Sequence, residues 1–234
     1  MSRDIKRYLI TGASRGIGRA ISLRLAAQDV QLLLHGRDPV ALAQTCRELG
    51  EEKHSPVKLA HDLATIRGVE DLISQVGHEP IDLLVNNAGI AVVKPFREVT
   101  IAEWTQTIGV NLTAPFLLMQ HFASRMRPGA SVVNILSIAA KNAYPNWSIY
   151  CGSKFALDGL SAAIREELRP RRIRVINIYP AATNTEIWNG VAGDWPRERM
   201  ISPGDVAEAV AYAISQPTAV AVENITLTNA GGAL

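Results

Sequence analysis

The sequence predicts an α/β protein built on a doubly wound parallel sheet, one domain with helices on both faces. Three observations predict it. A glycine-rich turn, residues 11–18 (TGASRGIG), stands between a strand-like run and a helix-like run. Short apolar runs of strand length then alternate with helix-periodic runs along the chain, which implies right-handed crossovers and parallel pairing. Polar groups, Asp62 and Asn86-Asn87-Ala88-Gly89, end the third and fourth apolar runs, and ligands of such sheets sit beyond the strand C-terminal ends.

Residues 7–11 read as a short buried strand and 17–27 as an amphipathic helix, with Gly12, Gly16 and Gly18 between them. In that order the parts form a phosphate-binding turn, the helix N-terminus aimed at a pyrophosphate and the glycines letting the backbone approach it. The spacing is G-x-x-x-G-x-G rather than the commoner G-x-G-x-x-G, and the glycines alone fit an ordinary turn as well. A second strand, 31–35, ends in Gly36-Arg37. An acid at such a strand end would accept from the ribose of NAD, whereas a cation there suits a 2′-phosphate. Asp38 stands near that position, but Asp38-Pro39 has the form of a helix N-cap and first turn, continued by a helix over 41–49. Two guanidinium groups, Arg15 and Arg37, near one point argue for NADP.

The third strand, 57–60, leads to Asp62-Leu63, a helix follows over 66–76, and the fourth strand, 81–85, runs into residues 86–89. That last segment reads equally as a plain polar turn. A long helix over 101–126 carries Asn111 in mid-course, where asparagine is mildly destabilising and needs a reason. A fifth strand, 131–136, delivers Ser137 to its C-terminal end; a helix runs from Tyr150 to Leu168; and a sixth strand covers 173–178. An irregular stretch, 180–199, holds Trp188 and Trp195, and a segment near 183–201 is expected to cover the substrate. A capped helix over 202–214 and a short strand over 225–228 complete the chain.

Tyr150 and Lys154 fall one helical turn apart on one face, which brings an ammonium toward a phenol. A nearby cation favours the phenolate and lowers the tyrosine pKa toward neutrality, so that it can exchange a proton with a carbonyl or alcohol oxygen. A packed ring beside a solvated lysine is the plainer reading of the pair alone.

With 47% hydrophobic and 20% charged residues in 234, the composition is that of a soluble globular chain with a sizeable core. The net charge of +2 is spread out apart from Arg169, Arg171, Arg172 and Arg174, so no nucleic-acid partner is expected. Cys46 and Cys151 alone make a disulfide framework unexpected. No leader-like or membrane-spanning apolar run is visible, and a cytoplasmic location is expected. No cluster suggests a metal.

The order TGASRGIG, Asp62, NNAG at 86–89, Asn111, Ser137, Tyr150-x-x-x-Lys154 and Pro180 through Thr185 resembles the short-chain dehydrogenases/reductases in their compact form, over essentially the whole chain. The resemblance implies a Rossmann sheet and hydride transfer between NADP(H) and a carbonyl or alcohol carbon, of the kind that reduces 3-oxoacyl thioesters or small ketones. It implies Tyr150 as general acid/base, Lys154 lowering its pKa and holding the nicotinamide ribose, Ser137 polarising the substrate oxygen and Asn111 anchoring a water. It further implies Ser14, Arg15 and Ile17 at the phosphates, Arg37 at the 2′-phosphate and Asp62 and Leu63 at the adenine. Asn86 and Ala88, with Gly89 following, would lie along the adenosine ribose, and Thr183 and Thr185 near the carboxamide.

Two departures stand out: Pro180-Ala181 where the family usually has Pro-Gly, and a tail, ITLTNAGGAL, without the usual acid before its paired glycines. The latter weakens any carry-over of C-terminal subunit contacts. An NADPH-sensing protein that has lost activity is the alternative from another class; retention of Ser137, Tyr150 and Lys154 speaks against it, and the chain is short for the family's extended epimerases. Tyr144, Trp147, Ile187 and Trp188 suit either an apolar substrate pocket or the core. The helices starting near Ile101 and Ser148 correspond to those through which the family forms dimers and tetramers. Phe116, Met119, Phe122, Phe155, Leu157 and Ala163 on them are expected to exceed what the sheet needs, and a homodimer or homotetramer follows.

Overall fold

The alternating pattern folds as one seven-stranded sheet in a computed structural model that describes residues 5–50, 54–191 and 193–232. The strands are β1 (Lys6–Ile10), β2 (Val30–Gly36), β3 (Val57–Ala60), β4 (Leu83–Asn86), β5 (Ser131–Ile135), β6 (Arg174–Pro180) and β7 (Asn224–Leu227). They pair in parallel throughout, in the order β3-β2-β1-β4-β5-β6-β7. The order reverses between β1 and β4, so a crevice opens at their C-terminal ends. Central strands such as β5 are buried on both faces, as a parallel sheet covered on both sides requires.

Helices α1 (Gly16–Ala26), α2 (Pro39–Glu48) and α7 (Pro203–Ser215) cover one face, where Ile21, Leu25, Leu42, Val206 and Val210 pack on Ile10, Leu34, Val85 and Ile176. Helices α3 (Ile66–Val76), α4 (Ile101–Ile108), α5 (Ala114–Ala123) and α6 (Ser148–Leu168) are the others. Leu72, Leu118, Phe122 and Leu157 from α3, α5 and α6 fill the other face against Leu9, Leu84, Val132 and Val175. Start signals hold where they are local. Asp38 accepts from the N–H groups of Val40 and Ala41, with Pro39 in the first turn, and Ser202 forms a capping box with Asp205.

The long helix expected over 101–126 runs from Ile101 to Ala123, widened between α4 and α5 by a π-helical turn, Gly109–Thr113. The asparagine in that turn is tied to the neighbouring segments: its side-chain oxygen accepts from the Ile90 N–H at 2.9 Å, and its amide donates to the Ile90 carbonyl at 2.9 Å and to Ser153 Oγ at 3.0 Å. A π turn of this kind marks functional sites more often than chance. The expected surplus of apolar residues also divides: Met119, Phe122 and Leu157 are core, while Phe116 and Phe155 are 36% and 44% exposed and Ala163 is exposed too. Trp104 on α4, at 54%, joins the exposed set.

A polar row crosses the α6-covered face of the sheet. Asn86, Asn134, Asn177 and Asn224 stand opposite one another on β4, β5, β6 and β7. Asn86 donates to Asn134 Oδ1 at 2.9 Å, and Asn134 donates to Asn177 Oδ1 at 3.3 Å and to Ser161 Oγ at 2.9 Å. Asn177 donates to Asp158 Oδ1 at 3.1 Å, and Tyr179 closes the row by donating to the same carboxylate at 2.6 Å, with Asn224 Oδ1 3.0 Å away. Asn86, Asn134 and Asn177 are buried and Asn224 is exposed; the bonds among them satisfy most of the buried amide groups, while Asn86 Oδ1 has no partner among the described residues. Ala181 continues β6 by donating to the Leu227 carbonyl at 2.8 Å with no positive φ, so alanine sits there without strain. Among the described residues no helix is long and apolar enough to cross a membrane. Ala192, inside the irregular stretch, and the last two residues of the tail lie outside the described residues.

Candidate active site

The crevice between β1 and β4 is a cleft of about 330 Å³. The glycine turn makes one wall. Gly12 and Gly16 hold positive φ of 65° and 54°, and a β-carbon on Gly18 would come within 2.2 Å of the Gly12 carbonyl, so only glycine allows the turn to close on α1. Arg15, at the α1 N-cap, makes no side-chain cap, and the first turn of the helix carries no acid. The N–H groups at that end are therefore left to an anion. Thr11 fixes the turn to the opposite wall: its hydroxyl donates to the Val85 carbonyl and accepts from the N–H groups of Asn87 and Ala88, both at 3.0 Å. Asn87 returns the contact by donating to the carbonyls of Thr11 and Gly12 at 2.8 and 3.1 Å.

Gly12, Ser14, Arg15, Gly16, Ile17, Arg37, Asp62, Leu63, Ala88, Gly89, Tyr150, Lys154 and Thr185 all line this cleft. Arg15 and Arg37 are exposed, and among the described residues neither has an ion-pair partner. Asp38 lines the cleft but spends a carboxylate oxygen on its cap. Five expected residues do not line it, among them Ser137, which stands in a second cavity. Asn86, expected beside the adenosine ribose, turns its side chain into the sheet as the first member of the asparagine row. Gly18 lies buried behind the turn, Asn111 is committed to Ile90 and Ser153, and Thr183 donates to the Ala181 carbonyl beside that second cavity.

His35 was not anticipated. It is buried at the end of β2, its Nδ1 accepts from the Gly12 N–H at 3.3 Å, and its Nε2 donates to the His61 carbonyl at 3.0 Å. These bonds require the neutral ring, and burial pulls its pKa down to about 4. Its only sequence signal is a polar residue interrupting an apolar strand.

The second cavity, about 180 Å³, adjoins the first and is walled by Tyr144, Trp147, Ile187, Trp188, Val191 and Trp195. The four residues that suited pocket or core thus line a pocket. Ser137 stands on its floor, its hydroxyl accepting from the Ala139 N–H at 3.1 Å. Tyr150 lines both cavities, as do Ile17, Leu136, Thr185 and Ile187.

The electrostatics of Tyr150 and Lys154 correct the simple expectation. Part of the Tyr150 side chain faces the cavities, yet the residue is packed deeply enough that burial pushes its pKa up to about 12, with a hydrogen bond from Ser137 working the other way. Lys154 lies 5.8 Å from the centre of the Tyr150 ring and donates to the Ile135 carbonyl at 2.8 Å; burial pulls its own pKa down to about 8. The lysine is a cation at neutral pH, and desolvation is the largest influence on the phenol.

A glycine turn at a topological switch point, with Tyr150 and Lys154 in its cleft and Ser137 in the adjoining pocket, is the arrangement of a dinucleotide-binding oxidoreductase. The family model for the short chain dehydrogenase matches residues 6–194, and the chain belongs to that family in its compact form. It is 31% identical over 230 residues to a D-threitol dehydrogenase of Mycolicibacterium smegmatis, covering 93% of this chain and 88% of the relative. It is 40% identical over 185 residues to the L-xylulose reductase of Mus musculus, covering 77% and 72%. Among solved structures, a metagenomic short-chain oxidoreductase in complex with NADP superposes with a TM-score of 0.81 at 31% identity, covering 95% and 96%.

Proposed function

We propose that the protein is an NADPH-dependent carbonyl reductase in which Tyr150 delivers the proton. The observation that carries this reading is that one phenol lines both the cleft and the pocket, with Ser137 beside it. Ser137 donates a hydrogen bond to the carbonyl oxygen and Tyr150 gives that oxygen its proton. When bound, NADPH supplies the hydride that reduces the carbonyl carbon. A phenol with pKa pushed to about 12 is protonated at neutral pH and so has a proton to give. Lys154 holds the nicotinamide ribose hydroxyls.

The residues present fit this cofactor. Ser14, Arg15 and Ile17 would hold the phosphates at the open α1 N-terminus, Arg37 with Arg15 the 2′-phosphate, Asp62 and Leu63 the adenine, and Ala88 and Gly89 the adenosine ribose. Thr185, with Thr183 behind it, would meet the carboxamide. Asn111 acts as a positioning residue; both its amide protons are committed, so a relay water toward Lys154 would use the remaining capacity of Oδ1. The reading includes one folding domain and a homodimer or homotetramer formed through α4 to α6, with Trp104, Phe116 and Phe155 in the contact. Replacing Tyr150 with Phe tests it: turnover of NADPH with ketones should collapse while NADPH still binds.

A further inference from the structure

Three indoles cluster along the pocket beside Tyr150. Trp147, Trp188 and Trp195 come from the start of α6 and from the segment after β6, and each touches the other two: centroids lie 5.8 Å apart for Trp147 and Trp188, 6.2 Å for Trp147 and Trp195, and 4.7 Å for Trp188 and Trp195. Trp147 also meets the Tyr150 ring edge-on at 5.5 Å. All three indoles are only partly buried, so each has surface left facing the cavity.

The polar groups around this space are few and largely spoken for. No charged side chain lines it. The Trp188 Nε1 donates to the Thr183 carbonyl at 2.9 Å and the Thr183 hydroxyl to the Ala181 carbonyl at 3.0 Å. The hydroxyls of Ser137 and Tyr150 converge on one point; those of Tyr144 and Thr185 also line the pocket, and most of the remaining surface is hydrocarbon and indole. A sugar or polyol would set several of its hydroxyls against that apolar surface, and an acid or phosphate would meet no cation, both unfavourable when desolvated. A flat ring, by contrast, can lie against indole faces and edges. The volume of about 180 Å³ is below that of pockets for drug-sized ligands, about 300–1,000 Å³, which limits the occupant to one or two rings.

We infer that the substrate is a small, uncharged aryl ketone, its ring held by the Trp147, Trp188 and Trp195 cluster and its carbonyl oxygen by Ser137 and Tyr150. This rests on the reductase reading above and narrows it away from hydroxylated sugars.

The test compares four carbonyl compounds with NADPH: an acetophenone, cyclohexyl methyl ketone as its non-aromatic counterpart, L-xylulose, and a 3-oxobutanoyl thioester. Saturable quenching of tryptophan fluorescence by the acetophenone is measured in parallel. The expected result is kcat/KM for the acetophenone about 100-fold above that for L-xylulose and above those for the other two. Trp188→Leu, and Trp147→Leu should the first fold poorly, should raise KM for the aryl ketone about 10-fold and for the cyclohexyl ketone much less. Equal or better use of L-xylulose, the thioester or the cyclohexyl ketone would overturn the inference while leaving the reductase reading intact. Saturable quenching, lost in Trp188→Leu, with no NADPH oxidation by any of the four would overturn the reductase reading and the substrate assignment with it, leaving the indoles as a binding site for an aryl ring. Neither quenching nor oxidation overturns both.

Discussion

Lys154 reaches past Tyr150 to the carbonyl of Ile135, 2.8 Å away, rather than to the phenol four residues before it. The bond holds the ammonium under the cleft between β5 and α6, so the cation is fixed before any ligand arrives. Its effect on the phenol then depends on what closes the cleft. Tyr150→Phe should lower kcat by ~10²–10⁴-fold and leave the NADPH Kd within a few-fold. Because burial keeps the phenol protonated and Lys154 loses its proton only near pH 8, wild-type reduction should be flat from about pH 6 to 7 and alcohol oxidation should climb over the same range. A Phe variant of undiminished rate would remove Tyr150 from the mechanism.

Arg37→Asp should exchange NADPH preference for NADH preference. Charge-assisted bonds to a 2′-phosphate contribute about 1.5–3 kcal/mol each, roughly tenfold or more in Kd. Equal Kd values for the two cofactors in the unaltered protein would show that neither Arg15 nor Arg37 reads the phosphate.

Glu186 brings Oε2 within 3.5 Å of where a β-carbon on Gly16 would stand, beside the turn proposed to hold the pyrophosphate. An anion placed there repels another. Glu186→Gln should tighten NADPH binding several-fold at low ionic strength, and the gain should shrink as salt is added. Isothermal titration at two salt concentrations checks both parts.

Acid should loosen the glycine turn through His35. Its pKa falls from 6.5 in the unfolded chain to about 4 in the fold, so between those values the unfolded chain binds the extra proton. The stabilisation is whole above pH 6.5 and is lost as pH drops toward 4, a change of about 3 kcal/mol. His35→Gln should flatten the dependence of Tm on pH in that window. An unchanged slope would place the acid sensitivity elsewhere.

Phe155→Glu, alone or with Phe116→Glu, should yield a species of 25.4 kDa by light scattering, against a larger mass for the unaltered chain. A monomeric mass for the unaltered chain at micromolar concentration would instead mean that Trp104, Phe116 and Phe155 meet only solvent.

The strand and helix alternation and the glycine turn were legible because they are written in local spacing: the turn, the Asp38 cap and the Ser202 box each depend on neighbours within a few residues. What was missed depends on distant partners. The spacing of Tyr150 and Lys154 reports where their β-carbons point, but Ile135 on another element decides where the lysine ends. Asn86 was misplaced by one strand boundary: β4 continues through it, and period-two alternation with Leu84 then turns its side chain into the sheet rather than toward the cleft. The reason for Asn111 lay in the backbone of Ile90, and that of His35 in Gly12 and His61, none of which the sequence places beside them.

Hydrophobic alternation in a sheet cannot by itself tell one alignment of two strands from another displaced by two residues, because every side chain keeps its face. Hairpins settle that ambiguity in antiparallel sheets; here each strand returns after a helix, with no tight turn to count from. The four asparagines supply the missing mark. Slid by two positions, Asn134 would face Leu84 or Val175, and an amide would lose its partner among hydrocarbon. They work like the zero on a vernier scale, legible in only one setting. That setting also lines up the strand ends from which Ser137 and the turn after Asn86 project, so the alignment of the cleft with the pocket is fixed from inside the sheet.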